Sequence, residues 1–215
     1  MKLLDLFCGA GGAAMGYHRA GFEIVGVDIK PQPNYPFEFH WADALEYPLD
    51  GFDAVHASPP CEAHSRITGK HRGNHLDLIP PTRSRLIDSG LPYVIENVEG
   101  APLENFVVLC GSMFGLKVRR HRLFETSFIL LVPQCNHAAQ NGEHYSLCWK
   151  NRKAGKTSPV VGVYGNINYK GEFKLRCEAM GIDWMTNAEL VKAIPPAYTE
   201  YIGKQLMNVT KNGQQ

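Results

Sequence analysis

A strand-like run that stops at a cluster of glycines is the feature that most restricts how this chain can fold. Lys2-Leu3-Leu4-Asp5-Leu6-Phe7 ends in Cys8-Gly9-Ala10-Gly11-Gly12. Ala13 to Ala20 then carries the small and apolar residues of a helix, closed by Gly21. Strand, tight turn and helix open a parallel α/β unit, because the chain must cross a sheet face before the next parallel strand begins. Glu23 to Val27 closed by Asp28, Phe52 to Ala57 broken by Ser58-Pro59-Pro60, and Pro92 to Ile95 ending at Glu96-Asn97 continue the pattern. The expected fold is α/β, a mainly parallel sheet with helices on both faces, in a single domain over residues 1–215. Ligands of such sheets gather beyond the carboxyl ends of the strands, and every unusual motif of the first half sits there.

The second half is less regular. Phe106 to Gly111, Arg122 to Leu131 and Pro159 to Val163 read as strands. Residues 133–158 form a small polar insert, and Asn187 to Lys192 and Ala197 to Met207 read as helices around Pro195-Pro196. From Asn208 the chain is expected to fray.

Composition removes several classes of function. An apolar fraction of 44% supports an ordinary core. Lys plus Arg is 22 against 21 for Asp plus Glu, so a uniformly basic nucleic-acid coat is excluded while a local patch is not. Apolar runs such as Phe128-Ile129-Leu130-Leu131-Val132 are too short to span a bilayer. The N-terminus has no secretory h-region, and six cysteines then suggest reduced thiols in a cytoplasmic protein.

Glycines in the first turn let the backbone take positive φ and let a ligand approach without a Cβ in the way. Their spacing is not Gly-x-Gly-x-x-Gly, since Ala14 holds the third position. Asp5 would repel a phosphate there and suits a cationic amino group. Asp28 is placed to accept from ribose hydroxyls, and Asp43, in Trp41-Ala42-Asp43-Ala44, from an adenine amino group. The plainer alternative makes Asp5 and the glycines a structural turn and Asp28 a loop cap. Cys61 stands apart from the other cysteines, because Pro59-Pro60 stiffens its loop at the ligand edge and Glu62-Ala63-His64-Ser65-Arg66 surrounds it with polar groups. A thiol so placed is a candidate nucleophile. Glu96 follows an apolar strand, where desolvation keeps a proton available near neutral pH. Lys117-Val118-Arg119-Arg120-His121-Arg122 is a short cationic run.

Asp5-Leu6-Phe7-Cys8-Gly9-Ala10-Gly11-Gly12 resembles the first motif of the DNA cytosine-C5 methyltransferases, and Ser58-Pro59-Pro60-Cys61 resembles their catalytic Pro-Cys motif. Glu96-Asn97-Val98 is similar to the family's glutamate motif, which implies that Asn97 orders the loop rather than reacts. Arg120-His121-Arg122 matches the Arg-x-Arg half of its Gln-x-Arg-x-Arg motif, with Val118 where Gln would stand. Ile194-Pro195-Pro196 and the helix after it resemble the last motif, and Thr186 with Glu189 a shortened form of the one before. The resemblance runs from residue 5 to about residue 206, with its parts in the family's order. It implies a Rossmann-like S-adenosylmethionine-dependent methyltransferase that transfers a methyl group to C5 of cytosine in DNA through a cysteine–C6 adduct. The implied catalytic residues are Cys61 as nucleophile, Glu96 at N3, and Arg120 and Arg122 on the base. The implied cofactor contacts are Asp5, Phe7, Cys8, Gly9, Gly11, Gly12, Asp28, Ile29, Asp43, Ala44 and Pro59.

A base inside a duplex must be flipped out before a thiol can reach C6. The family's target-recognition slot corresponds here to residues 129–185 and is short. Its basic strip of Trp149, Lys150, Arg152, Lys153 and Lys156 suits phosphate contact. The short slot leaves room for a partner protein or an oligomer in target recognition. RNA or a free pyrimidine nucleotide as acceptor, and a catalytically silent regulatory module, stay open beside the DNA reading. Cys135-x-His137 with His144 and Cys148 has zinc-capable ligands, but the spacing matches no strong zinc pattern and no metal is expected.

Overall fold

The alternation of apolar residues in short runs produces a sheet buried on both faces. In the computed structural model, which describes residues 1–61, 64, 76–140, 145–146, 157–158, 160–166 and 171–213, seven strands lie in the order β3-β2-β1-β4-β5-β7-β6. They are β1 (Lys2–Leu6), β2 (Glu23–Asp28), β3 (Glu38–Trp41), β4 (Ala54–Ala57), β5 (Tyr93–Asn97), β6 (Val107–Leu109) and β7 (Arg122–Thr126). β1 to β5 are parallel, and β7 runs antiparallel between β5 and β6. The expected α/β fold is what forms, with helices on both faces.

One face carries Leu3, Ala54, Val94 and Phe124 against α1 (Gly12–Ala20) and a long C-terminal helix, Pro196–Gly213. The other carries Leu4, Val25, Val55 and Ile95 against α2 (Ile79–Ser89). Two prolines suit the first turn of α2, where their missing N–H groups cost nothing, and the Asp77 carboxylate accepts from the Ile79 amide at 3.0 Å. A third cluster joins Ala10, Val118, Val161 and Met180 around α3 (Glu172–Met180) and α4 (Asn187–Leu190). Arg176 of α3 is fully buried there. It pairs with Glu172 at 2.5 Å and donates to the carbonyls of Tyr164, Gly165 and Asn166, tying an irregular stretch to a helix.

Several expected boundaries move. Glu96 and Asn97 lie inside β5, since they still pair with Phe124 and Leu123. β7 stops at Thr126 instead of reaching Leu131, because β5 begins at Tyr93 and offers no further ladder partner. Residues 160–163 are not a strand: Val161 makes one backbone bond to Lys117, at 2.7 Å, and its burial comes from packing on α3. The last helix, α5 (Pro196–Gly213), does not fray at Asn208, since Thr210 is buried and its hydroxyl donates to the Leu206 carbonyl. In the polar insert, β8 (Tyr145–Ser146) pairs antiparallel with β9 (Thr157–Ser158). The basic strip 149–156 lies outside the described residues. Among the described residues no helix is long and apolar enough to cross a membrane.

α1 and α5 pack backbone to backbone. Thr199 Oγ1 donates to the Ala13 carbonyl at 2.8 Å, and a Cβ on Gly16 would meet that same hydroxyl at 2.1 Å and the Pro196 carbonyl at 2.2 Å. Gly16→Ala therefore forces the helices apart, and should lower stability by about 1–3 kcal/mol in urea denaturation, although alanine favours the helix itself.

Candidate active site

The parallel strands deliver their carboxyl ends to one edge. The first loop there is the glycine turn. Phe7 takes a φ of 56°, rare for a bulky residue, and Gly9 and Gly11 follow at 49° and 82°. Space around the Cβ position of Gly9 is open, whereas at Gly11 a Cβ would meet Pro36 at 2.8 Å. The Trp184 indole donates to the Ala10 carbonyl at 2.9 Å, so the C-terminal part of the chain braces the turn from outside.

Asp5 lies at the centre of the sheet, paired with Gly26 and His56. It is wholly buried. Oδ2 accepts from the Tyr35 hydroxyl at 3.3 Å, while Oδ1 has no partner. Burial, helped by the charge of Asp28 and opposed by the Tyr35 hydrogen bond, pushes its carboxyl up to about 8. The Cys8 thiol beside it is buried and pushed far up, first by burial and then by the two aspartates. A cation reaching Asp5 Oδ1 would favour the ionised carboxylate that burial otherwise disfavours.

Asp28, at the end of β2, accepts from the Gly9 amide at 3.0 Å through Oδ2 and from the Lys30 amide at 2.9 Å through Oδ1. The loop-capping role is thus real, and a carboxylate with about four acceptor positions keeps capacity for hydroxyls. Ile29 is 63% exposed and Trp41 71%, forming an apolar lip beside Asp28, with the Trp41 indole donating to the Ile29 carbonyl. Asp43 is exposed after β3 and accepts from the Leu45 amide at 2.8 Å; Ala44 is buried, and its carbonyl accepts from Arg85.

The cysteine loop follows β4. Pro59 is buried, Pro60 exposed and Cys61 half-buried. The Asn97 side chain donates to the Pro59 carbonyl at 2.9 Å and so ties β5 to the cysteine loop. The Ser58 amide donates to the Leu6 carbonyl, and the His64 amide to the Cys61 carbonyl. Glu96 faces this loop from β5 and is 6% exposed. Burial raises its pKa against Arg122, whose Nε lies 3.2 Å from Oε1, against a hydrogen bond from Ser58, and against Arg120.

Arg120 donates to the carbonyls of Val163 and Val191, and its backbone carbonyl accepts from the Tyr198 hydroxyl at 2.6 Å. Its buried Nε has no partner. Burial, aided by Arg122, lowers its pKa to about 9, so it stays charged at neutral pH, within electrostatic reach of Cys61. Cys61, Glu96, Arg120 and Arg122 thus converge, and the glycine turn with Asp5, Phe7 and Cys8 lies along the same edge. Val118 is buried in the third cluster, where a Gln would be costly.

Some participants were missed in the sequence. His56, inside an apolar strand, is fully buried and links the Tyr17 hydroxyl at 3.0 Å to the Ser58 hydroxyl at 2.9 Å. Burial holds its pKa down at about 3, so it is a neutral link. Ser58 passes the chain on to Glu96. A histidine at a core-facing strand position was the available signal. Thr186 and Glu189 form a capping box, and Glu189 also accepts from Asn34 of the β2–β3 connection at 2.9 Å. Cys135 and His137 do come together, but with Cys110 and His121; His144 and Cys148 lie outside the described residues. His71, His75 and most of the segment after Cys61 also lie outside them.

No protein-family model matches the chain. The type II methyltransferase M.HgiDI of Herpetosiphon aurantiacus is 27% identical over 133 residues, which is 54% of this chain and 42% of that protein. The fold superposes on a protein described as a DNA modification methyltransferase encoded within a prophage (E. coli), with a TM-score of 0.65, 14% identity, and 98% and 99% of the two chains covered. It also superposes on the S. pombe Dnmt2 methyltransferase, with a TM-score of 0.58, 13% identity, and 97% and 99% covered. The methyltransferase EhMeth of Entamoeba histolytica gives a TM-score of 0.55 at 12% identity, with 100% and 99% covered. The chain has the α/β Rossmann-like fold of S-adenosylmethionine-dependent methyltransferases.

The raised Asp5 carboxyl has a consequence with a defined sign. Between its unfolded value of 3.8 and about 8, the folded chain holds a proton that the unfolded chain has lost. Its contribution to stability is therefore full below pH 4 and declines as pH rises through 8, by on the order of 5 kcal/mol at the limit. In urea titrations from pH 4 to 9 without ligand, Asp5→Asn should flatten that decline and be the more stable protein at pH 8. An unchanged pH slope would show that Asp5 is charged in the folded state.

Proposed function

We propose that this protein transfers the methyl group of S-adenosylmethionine to C5 of cytosine in DNA. The reading is carried by the convergence of Cys61, Glu96, Arg120 and Arg122 beside a glycine turn whose buried carboxylate lacks a counter-charge. The residues fit the cofactor. Asp5 Oδ1 would take its cationic amino group, and the open side of Gly9, with Cys8, Gly11, Gly12 and Pro59, would admit the methionine part. Asp28 and Ile29 would border the ribose, and Phe7, Asp43 and Ala44 the adenine. When bound, the cofactor supplies an electrophilic methyl group on a sulfonium.

The chain's own residues make C5 able to accept that methyl. An aromatic cytosine C5 is a weak nucleophile. The Cys61 thiolate, favoured by Arg120 nearby, forms a bond to C6, and the C5–C6 π pair is pushed into the ring as enamine density. Charge gathering at N3 is met by a proton on Glu96, which burial keeps available. Arg122 holds the Glu96 carboxyl in place through its 3.2 Å contact, and Asn97 holds the cysteine loop. After methylation, water takes the C5 proton, the Cys61–C6 bond breaks and the N3 proton returns to Glu96, which restores the thiolate and the neutral aromatic ring. A cytosine in a duplex must first be flipped out to meet Cys61. The names of two of the similar proteins, a type II methyltransferase and a DNA modification methyltransferase, favour DNA as the acceptor.

DNA carrying 5-fluorocytosine tests the reading, since fluorine cannot leave as a proton does and the adduct is trapped. With S-adenosylmethionine present, a denaturation-stable complex should form and map to Cys61 by peptide mass spectrometry. Cys61→Ala should give neither complex nor transfer of labelled methyl, and Glu96→Gln should slow transfer by about 10²- to 10⁴-fold. Labelled methyl appearing only on RNA or on free nucleotides would overturn the assignment to DNA, and full transfer by Cys61→Ala would overturn the mechanism.

A further inference from the structure

Four side chains outside the proposed active site converge on one point. Cys110 follows β6 as the first residue of the connection to β7, and His121 immediately precedes β7. Cys135 and His137 come from the segment that leads into the polar insert. One ligand atom from each of the four lies within 4.8 Å of the other three. Cys110 Sγ is 3.3 Å from His137 Nε2, and Cys135 Sγ is 3.6 Å from His121 Nε2. Zinc bonds of about 2.3 Å to sulfur and about 2.0 Å to nitrogen, directed to a tetrahedron, put such ligand atoms about 3.5 Å apart. The two separations of 3.3 and 3.6 Å match edges of that figure.

We infer that Cys110, His121, Cys135 and His137 bind a structural zinc ion. Two thiolates and two neutral imidazoles would neutralise a divalent ion, and a tetrahedral S₂N₂ set selects zinc among common metals. Four protein ligands leave no position for water or substrate, so the role is structural rather than catalytic. The surrounding groups suit it. The Ser112 hydroxyl donates to Cys110 Sγ at 3.3 Å and accepts from the Asn136 amide at 3.1 Å. Arg119 donates to the His137 carbonyl at 3.0 Å and to Gln140 at 2.9 Å, tying the turn that carries His137 to the residues before β7.

The segment also needs an anchor. Residues 133–136 are all exposed, and the turn His137–Gln140 buries none of its residues. Apolar packing therefore does little to hold Cys135 and His137 against the sheet edge, and metal–ligand bonds would do so. The site further fixes His121, which stands between Arg120 and Arg122. Zinc would thus join the root of the insert to the segment at the start of β7 that carries both arginines. This inference stands independently of the methyl-transfer reading.

Protein purified under reducing conditions without chelator should contain one zinc per chain by mass spectrometry of the metal. Cobalt exchanged into the site should give the visible bands of a tetrahedral ion with thiolate charge transfer. X-ray absorption should find two sulfurs at about 2.3 Å and two nitrogens at about 2.0 Å. Cys135→Ser, at an exposed position, and His137→Ala should fold, as judged by circular dichroism, yet lose stoichiometric metal, while Cys148→Ser should keep it. Wild-type protein that carries no zinc and gives no cobalt spectrum would overturn the assignment. So would a Cys110–Cys135 disulfide in that preparation, or loss of metal on changing Cys148 with retention on changing Cys135.

Discussion

The reversal of β7 is the constraint on which the rest of the site depends. In a purely parallel sheet only residues that follow strands reach the ligand edge. Because β7 runs against β5, the residues that precede it arrive there too, and the ladder pairs Asn97 with Leu123 so that Arg122 meets Glu96. Arg120 and His121 reach the same edge, the first beside the cysteine loop and the second beside Cys110, which follows β6. A β7 running the other way would carry both arginines to the opposite end of the sheet. The carboxylate and the cation thus meet through strand direction, although Glu96 and Arg122 lie 26 positions apart in the chain.

Strand direction also decides what could be read from the sequence. The glycine turn, Asp28, the Ser58-Pro59-Pro60-Cys61 loop and Glu96 were legible because each is a local break after an apolar run, and parallel topology sends such breaks to one place. Asn97 ordering the cysteine loop was legible through resemblance alone, and the structure supplies its bond to the Pro59 carbonyl. The helices at residues 79–89 and 172–180 were not legible. The first begins with two prolines, and the second is buried through Arg176, a residue that reads as surface until its carbonyl partners are brought to it.

The cluster of Cys110, His121, Cys135 and His137 was half legible for the same reason. Cys135-x-His137 showed ligands at short spacing, but its partners come from the ends of two strands that only the sheet brings together. His144 and Cys148 were the nearest candidates along the chain, and proximity in sequence is a poor guide in a segment anchored by strands earlier in the fold. His56 failed differently. A histidine in an apolar strand is unremarkable locally, and its part in linking Tyr17 to Ser58 depends on α1 lying over β4.

Asp5 and Glu96 show how burial is used twice with different partners. Among the described residues no cation offsets the burial of Asp5, so desolvation dominates and the carboxyl is poised for a positive ligand group. Glu96 has Arg122 in contact and Arg120 close by, and ordinarily two guanidinium groups would keep a carboxylate ionised. Desolvation is nevertheless the larger effect, and its pKa still rises. On the proposed reading that balance suits the chemistry: a carboxyl that burial makes readier to hold a proton, still kept in place by Arg122. Without the arginines, Glu96 would be a neutral buried acid of fixed charge; with less burial it would be a carboxylate with no proton to offer. Glu96 thus finds its compensation inside the fold, in Arg122, whereas Asp5 Oδ1 is left for a ligand to meet.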